Sequence, residues 1–127
     1  MCTAFSQWQR LNHAKSSNKA ALQHARAQAV SHMNFVFSLY EEQVDGGRYF
    51  LHEHPRYADS WEFECVQRFS AVPEVQRVHG DQCQFGAQIQ SWSFKGHPTK
   101  KPTGFFTNAP KLAEALAQLC TGLRGEC

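Results

Sequence analysis

One stretch limits the folds open to this chain more than any other. From about Ser17 to Val44, apolar or small residues recur at Leu22, Ala25, Ala29, Met33, Val36, Tyr40 and Val44. Steps of three and four place them on one helical face. Ser16, Ser17 or Asn18 can cap the start, and Asp45-Gly46-Gly47 ends the helix because glycine accepts the left-handed conformation common there. His24 and His32 lie on its flank rather than forming a metal pair. A helix of this length takes up a large share of 127 residues, so the rest must fold into short elements around one core.

The following segments alternate in type. Arg48 to His52 reads as a short apolar strand, and Pro55 cannot continue a central strand because it has no ladder donor. Asp59 or Ser60 can cap a second helix in which Trp61, Cys65 and Phe69 recur every four residues. Residues 75–85 read as a strand, broken or bulged near Gly80, and 87–102 as a loop or the turn of a wide hairpin. Gly104 to Thr107 is a last strand. Asn108-Ala109-Pro110 opens a last helix with Leu112, Ala115, Leu116, Leu119 and Cys120 in a stripe, stopped at Gly122.

This alternation predicts an α/β fold with a mostly parallel sheet, its last two strands pairing as an antiparallel hairpin, flanked by three helices. No apolar run approaches the roughly 18 to 20 residues that span a bilayer, and no basic-then-apolar leader is present, so a soluble intracellular protein is expected. The five cysteines, Cys2, Cys65, Cys83, Cys120 and Cys127, lack C-x-x-C pairs and are expected to be reduced, with Cys65 and Cys120 acting as small core hydrophobes. A formal charge of +2, with only Lys95, Lys100 and Lys101 clustered, gives weak electrostatic support for nucleic acid.

Ligands of parallel α/β sheets bind at the carboxyl ends of strands. Three polar groups are expected there: Glu53-His54-Pro55, Asp81 to Gly86, and Thr107-Asn108. Glu53 could equally cap the following helix or pair with Arg56. His52 and His54 are expected on opposite faces of their strand, a poor arrangement for two metal ligands. A zinc site from Cys83, His79 and a distant residue has no paired spacing behind it, and no metal is assigned.

Four segments carry a family resemblance. Met1-Cys2-Thr3-Ala4-Phe5-Ser6-Gln7 resembles the Pro-Cys-x-x-Phe-Ser loop of cytosine-5 DNA methyltransferases, with Met1 in place of the proline. Leu51-His52-Glu53-His54-Pro55 is similar to the family's Glu-Asn-Val strand end, in the Glu-x-Pro form of phage-type and mobile-element-borne members. His54 stands where the family has asparagine. Asp81 to Gly86, followed by Lys101 to Asn108, resembles the closing hairpin of those members, with Asp-Gln-Cys replacing the usual arginine-rich motif.

The resemblance implies a partial Rossmann-like methyltransferase domain over residues 1–127. It also implies Cys2 as nucleophile at C6 of a flipped cytosine, Glu53 as the acid holding the ring, S-adenosylmethionine as methyl donor and DNA as substrate. By the same carry-over, Ser6, His54, Pro55, Gln82, Lys101, Thr103 and Asn108 would contact the substrate. The eight glycines include no G-x-G run after a strand, so the cofactor-binding half is not found, and Met1 implies a start codon set inside a longer ancestral frame. The expectation is a segment inactive on its own. A half-enzyme completed by a separate N-terminal chain and a non-enzymatic binding or structural module, with or without a metal, stay open beside it.

Overall fold

The computed structural model describes residues 19–91 and 93–122. Cys2 and Ser6 lie outside them. Helix α1 spans Lys19–Asp45, β1 Leu51–Pro55, α2 Glu64–Phe69, β2 Gln76–Asp81, β3 Pro102–Thr107 and α3 Pro110–Leu116. Short 3-10 turns at Asp59–Glu62 and Gln82–Phe85 precede α2 and follow β2.

The end of α1 forms as its glycines predict. The Gly47 N–H bonds the Val44 carbonyl at 2.9 Å and the Arg48 N–H the Gln43 carbonyl at 2.8 Å, with Gly47 left-handed at φ 66°. These two bonds satisfy carbonyls that a helix terminus otherwise strands. Ala29, Met33 and Phe37 are the buried residues of α1, whereas Ala25, counted in the predicted stripe, is exposed.

The expected parallel, Rossmann-like sheet is not what forms. The sheet has three strands in the order β1-β3-β2, and both pairings are antiparallel, with Glu53 opposite Phe105 and Val78 opposite Phe105. β1 and β2 thus run in the same direction but never touch, because β3 lies between them. The cause is readable in β3. Thr103 to Thr107 are all buried, which suits a strand covered on both faces, whereas the β1 proline and the exposed Gln76 and Arg77 of β2 suit edge positions. The unit is a split βαβ, with α2 crossing over and β3 returning through the wide hairpin.

One sheet face packs against α1 and α2 through Phe37, Phe50, Trp61, Val66, Phe69 and Phe106. The other carries Phe105 and receives α3, with Ala113 buried, and the turn at Phe85, whose ring meets Phe105 edge-on at 6.2 Å. Gly80 does not break β2; a β-carbon there would lie 2.4 Å from the Leu116 carbonyl oxygen, so glycine is what lets the end of α3 approach.

The last helix stops earlier than its stripe predicts. Beyond Leu116 the chain is drawn to the end of β2: the Asp81 N–H donates to the Gln118 carbonyl at 2.8 Å, and the Cys120 N–H to the Asp81 carboxylate at 2.8 Å. Leu119 is accordingly exposed, and Cys120 is disulfide-bonded rather than a reduced core thiol. Cys65 does sit in the core, where burial pushes its thiol up. No helix among the described residues is long and apolar enough to cross a membrane.

Candidate functional site

Because β1 and β2 are both antiparallel to β3, the carboxyl ends of β1 and β2 and the amino end of β3 meet at one end of the sheet. There the structure gathers Glu53, Pro55, Gln82, Lys101 and Thr103. Glu53, Pro55 and Thr103 share the face that receives α3, since paired residues of neighbouring strands point the same way. Lys101 Nζ stands 3.6 Å from Glu53 Oε1, an ion pair longer than a hydrogen bond. That oxygen is buried and accepts no hydrogen bond among the described residues, although the Glu53 side chain as a whole is 36% exposed.

Around this acid the polar groups are ordered by the chain itself. Thr103, fully buried, donates from Oγ1 to the Lys101 carbonyl at 3.0 Å and accepts from Gln82 Nε2 at 3.2 Å. The Gln82 N–H also donates to the Lys101 carbonyl at 3.2 Å. Asp81, buried beside them, sits 3.8 Å from Lys100 Nζ and anchors the segment after α3. These contacts fix the Lys100–Lys101 backbone beneath two lysine side chains that remain half exposed.

Asn108 does not join this group. At the opposite end of the sheet its Oδ1 accepts from the Phe50 N–H at 3.0 Å and its Nδ2 donates to the Arg48 carbonyl at 2.9 Å. Thr107 Oγ1 bonds the Phe50 carbonyl and accepts the Ala109 N–H. The pair clamps the approach to β1 and opens α3.

His54 turns to the other face. His52 and His54 lie on the same side of β1, not on opposite sides, because side chains two apart on a strand share a face. Their rings stack at 5.4 Å with an interplanar angle of 12°, both buried, and both meet the Trp61 indole edge-on. Tyr40 Oη lies 3.2 Å from His52 Nδ1. Burial raises the Tyr40 phenol and so keeps its proton, while burial, reinforced by His54, lowers His52 to about 4. Both groups are therefore neutral and share this one hydrogen bond. His54 is lowered chiefly by burial.

A second cluster on this face was not anticipated from the sequence. Arg77 lies over the Trp61 ring, its guanidinium carbon 3.9 Å from the ring centre, and donates from Nη2 to the Arg56 carbonyl at 3.0 Å. Arg56 stands over the exposed Tyr57 ring at 5.5 Å. His79 is lowered by burial and then by the charges of Arg56 and Arg77. The signal was present in Arg77-Val78-His79, where spacing of two puts both basic residues on one strand face.

Among the described residues, no group of three or more His, Cys, Asp or Glu side chains converges as a metal site, and Cys83 and His79 do not form one. A groove of about 520 Å³ along α1, lined by Gln23, Arg26, Ala27, Val30, Ser31 and Asn34, holds none of the residues above. Of the described glycines, Gly46, Gly80 and Gly104 have their β-carbon positions filled by Arg48, Leu116 and Trp61, whereas Gly47, Gly86, Gly96 and Gly122 face open space. Compared with family models, curated proteins and solved structures, the chain matches none.

Proposed function

We propose that this chain carries the base-holding part of a cytosine-5 methyltransferase-like module, with Glu53 as the acid that grips a pyrimidine ring, and that it does not transfer methyl groups alone. What supports the reading is one observation. Glu53, Lys101, Gln82 and Thr103, distant in sequence and each marked by the family resemblance, come together at one sheet end. A carboxylate oxygen with hydrogen-bonding capacity to spare is suited to accept from the exocyclic amine of cytosine, and from its ring nitrogen once that is protonated. Lys101 supplies that carboxylate with a counter-charge from its solvent side.

Contacts to a methyl donor are left to a complementing segment, since the sequence holds no G-x-G run after a strand. No step is derived through the cofactor. The hydrogen bonds of Gln82, Thr103 and Asn108 within the chain favour a second reading, a non-enzymatic binding module in which these residues are scaffold.

Binding of short single-stranded oligonucleotides separates the two. The expected result is a preference for a cytosine-containing strand over its thymine counterpart that disappears in Glu53→Ala, with no methyl transfer from labelled S-adenosylmethionine. Equal affinity for both strands, unchanged in Glu53→Ala, sinks the base-holding role and leaves the binding module.

A further inference from the structure

On the opposite sheet face from Glu53, we propose a phosphodiester-binding site formed by Arg56 and Arg77, with His79 beside them and Tyr57 as a stacking platform for a base of the same nucleic-acid strand. It does not depend on the role of Glu53. The charges of Arg56 and Arg77 oppose each other and both bear on His79, while Glu62 counters them at Arg77. A phosphate group bound between the two arginines relieves that repulsion.

Arg77 is also held in place before any ligand arrives. It is seated on the Trp61 indole and tied to the Arg56 carbonyl by one Nη2–H, which leaves the guanidinium further donors for a ligand. A planar fork of this kind matches phosphate oxygens better than an ammonium does. Trp61 in turn is fixed by its Nε1–H, which donates to the Pro55 carbonyl at 2.8 Å, and by the missing side chain of Gly104, where a β-carbon would lie 2.7 Å from Cζ2 of the indole.

His79 completes the cluster. Its Nδ1 is buried without a hydrogen-bond partner among the described residues. An unmet lone pair costs less than an unmet N–H, so the ring proton belongs on Nε2, where it can serve as a third donor. Tyr57, 57% exposed directly beneath Arg56, offers the flat aromatic surface on which single-stranded bases stack with little regard to sequence.

The test is the salt dependence of binding to a short fluorescein-labelled single-stranded oligonucleotide, read by anisotropy. Each phosphate that goes unneutralised makes the slope of log K against log salt shallower by about 0.7 for single strands. Arg56→Gln and Arg77→Gln should each flatten it by about that amount and weaken binding several-fold, equally for cytosine and thymine strands. Arg68→Gln, whose side chain pairs with Glu41 instead, should leave the slope unchanged.

Arg77→Gln also strips the cover from Trp61, so circular dichroism must show it folded. Arg56→Gln is the safer variant, because the Arg56 carbonyl that Arg77 uses remains. Arg77→Lys should keep the slope and lose affinity, since the charge stays and the fork goes. Unchanged slopes in folded Arg56→Gln and Arg77→Gln, or no binding by the native chain, would overturn the site. Displacement of the oligonucleotide by an equal concentration of inorganic phosphate would overturn its assignment to a nucleic-acid strand. Loss of base preference in Glu53→Ala with slopes intact belongs to the other face, so the two proposals fail separately.

Discussion

The two faces of the sheet are built from different chemistry although the same three strands supply both. Toward α1 and α2, Phe106 meets Phe37, Phe50, Phe69 and Trp61 with ring centres about 6 Å apart, and even the histidines of β1 are stacked into this aromatic layer. Toward α3, Phe105 meets one ring among the described residues, Phe85, beside a carboxylate paired with a lysine and an amide bonded to a hydroxyl. Stability is concentrated on the first face. The second carries Glu53, one carboxylate oxygen of which accepts no hydrogen bond among the described residues, and the rigid layer behind it holds that acid in place.

Removing one ring from each face should expose this difference most strongly. Phe106→Ala leaves a cavity among four aromatic neighbours and should cost roughly 3 to 5 kcal/mol, a large share of what a domain of this size has. Phe105→Ala, with one ring partner among the described residues and 6% exposure, should cost clearly less. Urea titration of the two variants measures both, and equal losses would remove the asymmetry between the faces.

Acid should attack the first face before the second. His52 is neutral in the folded chain and lowered to about 4 from 6.5, so the unfolded chain binds protons more readily over that interval. Stability is therefore unaffected above pH 6.5, falls as the pH drops toward 4, and by then has lost roughly 3 kcal/mol through this group. His52→Gln should flatten that part of the stability profile while Glu53→Gln leaves it in place. A profile that persists in His52→Gln would place the sensitive group elsewhere.

Local features of this architecture are readable in the sequence and the pairing of strands is not. The Gly46-Gly47 stop, the Trp61, Cys65 and Phe69 spacing and the loop at 87–102 follow from short-range chemistry, and each has a counterpart in the structure. Strand order depends on contacts between distant segments. Its one trace in the sequence is Thr103 to Thr107, whose lack of polar alternation marks a strand buried on both faces and outweighs the alternation of strands and helices. At the site, Glu53, Gln82, Lys101 and Thr103 share one sheet end, whereas an all-parallel sheet would carry Asn108 there too, and the antiparallel β3 puts it at the other. His54 was misplaced for a simpler reason: the period of a strand is two, which groups it with His52 against Trp61.

Glycine substitutions probe the same asymmetry at smaller scale. A β-carbon at Gly104 would press on the Trp61 indole at 2.7 Å, and one at Gly80 on the Leu116 backbone carbonyl at 2.4 Å. Overpacking of this kind costs typically about 1 to 3 kcal/mol. A side chain can tilt where a helix end held by Asp81 cannot, so Gly80→Ala should be the more damaging of the two. Its damage should also reach the site, because Asp81 and Gln82 follow directly. Loss of the cytosine preference in folded Gly80→Ala, with the preference kept in Gly104→Ala, is the expected pattern.

The smallest effect on stability is the one that bears most on the site. Lys101 and Glu53 form a half-exposed pair at 3.6 Å, and pairs of this kind contribute about 0 to 1 kcal/mol. Lys101→Gln should therefore leave the urea midpoint nearly unchanged. Without the ammonium the Glu53 carboxylate, one oxygen of which is buried, loses a counter-ion that a bound base would otherwise have to share. If Glu53 grips a base, Lys101→Gln then keeps the cytosine preference while changing overall affinity only slightly, whereas Glu53→Ala abolishes the preference. If the pair is only surface decoration, Glu53→Ala is as silent in selectivity as Lys101→Gln. A large loss of stability in Lys101→Gln would mean that the ion pair belongs to the scaffold, and that the second face is as firmly packed as the first.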